Sequence, residues 1–67
     1  MSIVKVIELI AESNNSWEDA TKNALNEAQK TVQNIQSIYV KDMKAVVENN
    51  EIKKYRLNAK ISFTINE

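Results

Sequence analysis

The sequence predicts a small α+β domain with the element order β-α-β-β. Three observations carry this prediction: a period-two alternation near the C-terminus, a helical stripe of apolar residues before it, and two adjacent asparagines between β-rich segments. Successive side chains of a strand point to opposite faces, whereas the apolar residues of a surface helix recur every three or four positions. A chain of 67 residues makes one domain at most, so we expect a single domain over 1–67.

The first predicted strand covers residues 3–10, which are rich in β-branched and aliphatic side chains. Only Lys5 and Glu8 interrupt its apolar run, so both of its faces carry apolar residues. A strand packed on both faces in so small a domain implies a neighbouring subunit. The residues that follow, 11–15, are predicted to form a polar loop.

A helix is predicted from residue 17 to about residue 33, with Ser16 as its N-cap. One apolar stripe at helical spacing runs along it, formed by Ala20, Ala24, Leu25, Ala28 and Val32. Its alanines let the helix lie close to a sheet. A lone tryptophan at a helix start packs over a core or an interface more often than it stacks on a cofactor, so we expect Trp17 to pack. Asn34 tolerates the left-handed turn that ends the helix.

Residues 35–47 form a second β-rich segment whose alternation changes phase around Lys41 and Asp42, which indicates a bulge or a bend. A tight hairpin is predicted at 48–51, because its two asparagines tolerate positive φ angles. The third strand, 55–65, alternates without interruption between apolar and polar residues. If it lies between the other two strands, every neighbouring pair is antiparallel and the helix covers its apolar face.

Composition argues against several classes of function. The chain has no Cys and no His, so disulfides, thiolate metal sites and the commonest general base are missing, and we expect no enzyme. Nine basic residues balance nine acidic ones, which argues against non-specific nucleic-acid binding. No apolar run approaches the roughly 20 residues of a membrane span. The prediction is a cytoplasmic protein without nucleic-acid or membrane partners, stabilised by self-association because the domain is so small.

Two sets of charged residues are candidates for binding. Arg56 lies on the polar face of the third strand, where it could bind a phosphate or a carboxylate, or equally form a cross-strand or interchain ion pair. Asp42, Glu48 and Glu51 lie near the hairpin and could supply oxygens to a hard cation. Surface acids are more often simply solvated, and no loop here has EF-hand spacing.

Four segments resemble the dodecin family: VKVIELIAES, SWEDATKNALNEA, TVQNIQSIYV and KYRLNAKISF. Their order and spacing cover essentially the whole chain. The resemblance implies a three-stranded antiparallel sheet partly wrapped around one helix. It also implies assembly into a hollow homododecamer, which would supply the stabilisation that so small a domain needs.

The resemblance further implies a ligand site. Typical dodecins bind flavins such as riboflavin and its phosphorylated forms for storage or protection, near subunit interfaces, between a Trp of the second strand and a Gln of the third. Ser37 occupies the Trp position in this sequence, and Arg56 occupies the Gln position. Stacking on an aromatic side chain is worth about 1–3 kcal/mol per ring in related systems, so its loss predicts weak or absent flavin binding.

A subgroup of dodecin-like proteins that lacks the aromatic clamp is described as calcium-binding, and it is similar to this chain at the SW helix start, at Asp42-Met43 and at Tyr55-Arg56. The resemblance therefore implies a small-ligand binding or storage protein that takes calcium or an anion. It supplies no motif of calcium ligands, and Asp42 is the candidate metal ligand because it lies near the altered pocket and carries hard oxygen atoms. One alternative is genuine flavin storage, with Tyr39 and Arg56 rebuilding the clamp. Another is a structural protein without a small ligand.

Overall fold

The computed structural model describes residues 2–66, which form β1 (Ser2–Ser13), α1 (Trp17–Gln29), β2 (Ile35–Glu48) and β3 (Glu51–Asn66). The strands make one sheet in the order β1-β3-β2, and both neighbouring pairs are antiparallel. The predicted topology is confirmed, with the third strand in the middle.

The core lies between α1 and one face of the sheet. Leu57, Ala59 and Ile61 of β3 are at most 1% exposed, and they pack with Ala11, Ala20, Ala24 and Ala28. This is the apolar face that the alternation predicts. Burial fades towards both ends of the predicted 55–65 alternation, because a helix of 13 residues is only about 20 Å long and cannot cover so long a strand. Ile65 is accordingly exposed.

The opposite face of the sheet, here called the outer face, is covered by no other element within residues 2–66. Its polar residues on β3 alternate from Arg56 to Thr64, as predicted. Exposed apolar side chains also lie on this face, and each is 57–66% exposed: Val4, Val6, Ile10 and Tyr39. The outer face therefore combines a polar central strand with apolar residues on the two edge strands.

The first strand is longer than predicted. It runs on to Ser13, so residues 11–13 are strand and only the last part of the predicted 11–15 loop is a loop. The extension places Glu12 directly opposite Arg56 of β3. Pairing with β3 along this whole length satisfies backbone groups that a loop would have left to water.

The helix starts as predicted and ends earlier. The Ser16 hydroxyl accepts a hydrogen bond from the Asp19 amide at 2.9 Å, which confirms Ser16 as the N-cap. The helix ends at Gln29, so its predicted extension to residue 33 is wrong. Thr31 and Val32 follow, and β-branched residues lose side-chain freedom in a helix. Asn34 has a φ of 62°, which confirms the predicted left-handed residue, although it lies in the connection to β2.

β2 and β3 form a long hairpin. The register shifts between Val40 and Asp42, which confirms the predicted bulge. Asn49 and Asn50 have φ angles of 53° and 62°, as a two-residue turn of the type I′ kind requires. β3 begins at Glu51, before the predicted 55–65 segment, so the hairpin reaches past the helix. The described part of the chain is elongated and thin, with extents of 52 × 19 × 14 Å.

Candidate functional site

The main candidate site residues all lie in strands, with their side chains on the outer face: Ser37, Tyr39, Asp42 and Arg56. Ser37 lies opposite Ser62 of β3, whereas Arg56 lies six positions earlier on that strand. At roughly 3.3 Å per residue, Ser37 and Arg56 are about 20 Å apart along the sheet. One chain therefore does not bring the two flavin-pocket positions together, and a ligand that touches both must lie between copies of the chain.

Ser37 and Tyr39 form the first part of the candidate site. The Ser37 hydroxyl oxygen lies 2.5 Å from that of Ser62, so each serine satisfies the other. Tyr39 lies opposite Lys60 on the same face and is 64% exposed. Ser37 and Tyr39 therefore lie on the same face of the sheet. Their neighbourhood offers hydroxyl groups and one exposed phenol ring.

Arg56 forms the second part, and it is held by an acidic partner. Its Nε donates a hydrogen bond to the Glu12 Oε2 at 2.6 Å, and its Nη2 lies 2.5 Å from the same oxygen. The other carboxylate oxygen of Glu12 lies 3.6 Å from the Lys54 Nζ. The hydrogen bond from Arg56 lowers the pKa of Glu12 below its ordinary value of 4.5, and the charge of Lys54 adds to the effect. The cross-strand ion pair, one of the two interpretations of Arg56, is present.

A cavity of about 350 Å³ opens beside Arg56 on the outer face. It is lined by Ile10, Asp42, Lys44, Arg56, Leu57 and Asn58. The structure therefore brings Arg56 and Asp42 into one cavity. Two cationic side chains, an amide and a carboxylate give this cavity donors for an anion and one hard oxygen ligand for a cation.

The predicted grouping of three acids near the hairpin is not formed. Asp42 lies opposite Asn58 in the middle of the sheet, whereas Glu48 and Glu51 pair with each other at the hairpin end. Within residues 2–66, no three acidic side chains come close enough to share a metal ion. Six positions of extended strand separate Asp42 from Glu48, which is about 20 Å. A metal ion at Asp42 would need further ligands from outside the single chain.

Glu12 is a site residue that the sequence did not single out. The predicted first strand stopped at residue 10, so Glu12 fell into a predicted loop. A signal was nevertheless present, because Glu8 and Glu12 share one parity and lie opposite Lys60 and Arg56. Opposite charges at matching positions of two antiparallel strands are a recognisable cross-strand pattern.

Trp17 connects the helix to the wall of the cavity. Its indole N–H donates to the Lys44 carbonyl oxygen at 3.3 Å. Its ring and the ring of Tyr55 form a T-shaped pair, with centroids 4.9 Å apart and planes at 75°. The prediction that Trp17 packs is confirmed. It fixes β2 and β3 next to Lys44 and Arg56.

The only helix within residues 2–66 has 13 residues, and it lacks the length and hydropathy needed to cross a bilayer.

Comparisons with known proteins agree on one family. The family model described as Dodecin matches residues 3–66. A calcium dodecin from Mycobacterium tuberculosis, described as a calcium-chelating antigen, is 30% identical with a TM-score of 0.83, over 96% of this chain and 91% of its own. An arginine-to-alanine mutant of the Thermus thermophilus dodecin is 25% identical with a TM-score of 0.92, over 100% and 98%.

The dodecin from Streptomyces coelicolor shares the fold at 20% identity and a TM-score of 0.92, over 98% of this chain and 94% of its own. A search of curated proteins found no match. The family match spans nearly the whole chain, and its order of strands and helix is the one described above. This chain therefore belongs to the dodecin family.

Proposed function

We propose that this protein is a non-enzymatic binding and storage protein for a small ligand, that it works as a hollow homododecamer in the cytoplasm, and that its ligand is calcium or a small anion. The observation that carries the proposal is the cavity that joins Arg56 to Asp42. Dodecins are small-ligand binding proteins that assemble as homo-oligomers, which supports the general part of the proposal.

Weak flavin binding follows from the two replaced positions. Ser37 offers no ring for stacking, and its hydroxyl is already engaged with Ser62. Arg56 brings a charge to the position where related proteins use a neutral amide, and Glu12 occupies one edge of its guanidinium. Losing about 1–3 kcal/mol of stacking per ring weakens binding by about fivefold to about 150-fold.

Assembly is supported by the outer face. Four large apolar side chains on β1 and β2 lie exposed there, and a second copy of the chain would bury them. Assembly would also solve the geometry of the site, because Ser37 and Arg56 meet only if different copies supply them. Light scattering is expected to give a dodecamer, and a stable monomer at micromolar concentration would contradict this part of the proposal.

Calcium is supported by a specific relative and by one residue. The Mycobacterium tuberculosis relative is described as a calcium dodecin with a calcium-binding site. Asp42 supplies one carboxylate per chain, whereas calcium takes about six to eight oxygen ligands. Several copies of Asp42 around a symmetry axis, together with carbonyl groups and water, would complete such a shell.

Calorimetric titration of the assembled protein tests the ligand class. Calcium chloride, inorganic phosphate, riboflavin and flavin mononucleotide are titrated separately. We expect Asp42→Asn to abolish calcium binding and Arg56→Gln to weaken phosphate binding, with the hairpin variant Glu48→Gln as the matched control for both. Purified protein that carries stoichiometric flavin would overturn the proposal.

One alternative has an observation in its favour. Tyr39 is exposed on the same face as Ser37, two positions along β2, so its ring could replace part of the stacking surface. This protein would then store flavin with a rebuilt clamp. If riboflavin binds tightly, as measured by quenching of its fluorescence, and Tyr39→Ala abolishes that quenching, flavin storage is favoured over calcium or anion binding.

A further inference from the structure

Arg56 reaches the cavity with one edge of its guanidinium already occupied. Its Nε and Nη2 both contact the same oxygen of Glu12, at 2.6 and 2.5 Å. A guanidinium carries five N–H donors in a rigid plane. Two nitrogens of that plane are thus fixed by Glu12, and the remaining donors keep a defined direction.

Glu12 is itself held in place by the helix. Its backbone carbonyl accepts a hydrogen bond from the Asn23 side-chain amide at 2.9 Å. The next residue, Ser13, is buried, and its hydroxyl donates to an Asp19 carboxylate oxygen at 2.6 Å. Both contacts tie this end of β1 to α1. The backbone that carries the Glu12 carboxylate is therefore tied to the helix by side-chain hydrogen bonds on and next to Glu12.

The carboxylate and the cavity lie on different sides of Arg56. Arg56 lines the cavity with Lys44 and Asn58, whereas Glu12 does not line it. Glu12 lines a separate polar depression together with Lys54. Glu12 can therefore hold the guanidinium without occupying the space that a ligand would take.

We propose that Glu12 is a positioning residue that orients Arg56 for binding an oxyanion, a carboxylate or a phosphate group, in the cavity between β1 and β2. This inference rests on the proposed small-ligand function and deepens it for the anion. An arginine that is already oriented loses less side-chain freedom when it binds, so more of the interaction energy appears as affinity. Glu12 also satisfies the guanidinium while the site is empty.

Three variants test the role of Glu12 in the assembled protein, with inorganic phosphate as the probe at pH 7.5. Glu12→Ala removes the carboxylate that contacts Arg56, and it should weaken phosphate binding by about tenfold in calorimetry. Glu12→Gln keeps an oxygen that can accept the Nε–H bond, so it should restore part of the affinity. Lys54→Ala is the matched control, because Lys54 contacts the same carboxylate but not the cavity; it should change the affinity by less than about twofold.

A spectroscopic readout separates positioning from general stability. Arg56 is the only arginine of the sequence. A symmetric assembly labelled with ¹⁵N-arginine therefore gives one Nε–H signal, which all copies share. We expect this proton to exchange slowly with water in the wild type and in Glu12→Gln, and quickly in Glu12→Ala. Light scattering confirms that each variant remains assembled.

The outcomes distinguish the inference from the function on which it rests. Phosphate affinity in Glu12→Ala that equals or exceeds that of the wild type overturns the positioning role and leaves anion binding intact. An Arg56 proton that exchanges equally fast in the wild type and in Glu12→Ala also overturns it. A wild-type protein that binds no phosphate overturns this inference and the anion part of the proposed function, whereas the calcium part is decided by the separate calcium titration.

Discussion

The hydroxyl oxygens of Ser37 and Ser62 lie 2.5 Å apart across β2 and β3. The dodecin resemblance predicts a stacking tryptophan at the Ser37 position, which this sequence lacks. Neither side chain offers a ring on which a flavin could stack. Their mutual hydrogen bond also satisfies both hydroxyl groups without a ligand. The Ser37–Ser62 pair is therefore a structural reason to expect weak flavin binding at this position.

Restoring the clamp should restore flavin binding. We expect Ser37→Trp combined with Arg56→Gln to bind riboflavin at least about fivefold more tightly than the wild type, since stacking contributes about 1–3 kcal/mol per ring. Quenching of riboflavin fluorescence measures this change. Ser37→Leu combined with Arg56→Gln is the control, because leucine adds bulk without a π surface. Equal quenching by both double variants would contradict the stacking argument.

Acid stability should depend on Glu12. Its pKa is lowered from 4.5 by the hydrogen bond from Arg56. A carboxylate with a lowered folded-state pKa stabilises the protein above its unfolded-state pKa, and this contribution is lost as the pH falls through the folded-state value. The wild type should therefore melt at a higher temperature than Glu12→Gln at pH 7, and the difference should shrink below pH 4.5.

Glu18→Gln serves as the control for this pH series. Glu18 pairs with Lys22 at 3.9 Å on the exposed side of the helix, and such exposed pairs contribute little. Its melting temperature should stay close to that of the wild type at pH 7. A difference between the wild type and Glu12→Gln that is as large at pH 3 as at pH 7 would refute the role assigned to the Glu12 carboxylate.

Trp17 should stabilise the chain through its N–H group as well as its ring. Trp17→Phe keeps an aromatic ring near Tyr55 but removes the donor to the Lys44 carbonyl. We expect a loss of about 1 kcal/mol in the free energy of unfolding, as for a typical hydrogen bond. Urea unfolding followed by far-UV circular dichroism measures it, because the variant has no tryptophan fluorescence. An unchanged midpoint would show that water replaces this bond without loss.

The hairpin turn should be sensitive to the residue at position 50. Asn50 has a φ of 62°, a region that glycine tolerates and β-branched residues avoid. Asn50→Val should lower the free energy of unfolding by about 1–2 kcal/mol. Asn50→Gly is the matched variant and should retain or raise stability. Equal stability of the two variants would show that the turn relaxes to another conformation.

Much of the fold could be predicted from local patterns. The alternation over 55–65 identified the central strand. A strand with a neighbour on each edge packs one of its two faces against the core, so every second residue is apolar. The Asn49-Asn50 turn and the bulge before Asp42 were predicted for similarly local reasons. The helix end was not, because Val32 keeps the helical spacing although the chain leaves the helix at Gln29.

The site was harder to predict, because it depends on register. The resemblance implied a pocket near a subunit interface that involves both Ser37 and Arg56. The pairing of β2 with β3 shows only that these two positions lie six residues apart within one chain. Whether these two residues, Tyr39 and Asp42 bind a ligand stays a prediction. The Glu12–Arg56 pair was missed because the length of β1 is set by its pairing with β3. Residues 11–13 alone do not indicate a strand, and the signal lies in the matching charges of the two strands.

The thinness of the chain has a consequence for how its stability must be measured. A body only 14 Å thick, with its buried apolar side chains in a single layer, has little interior of its own. If the exposed apolar residues of the outer face are covered by other copies, folding and assembly share one equilibrium governed by mass action. The melting temperature should then rise with total protein concentration, and dilution alone should unfold the chain.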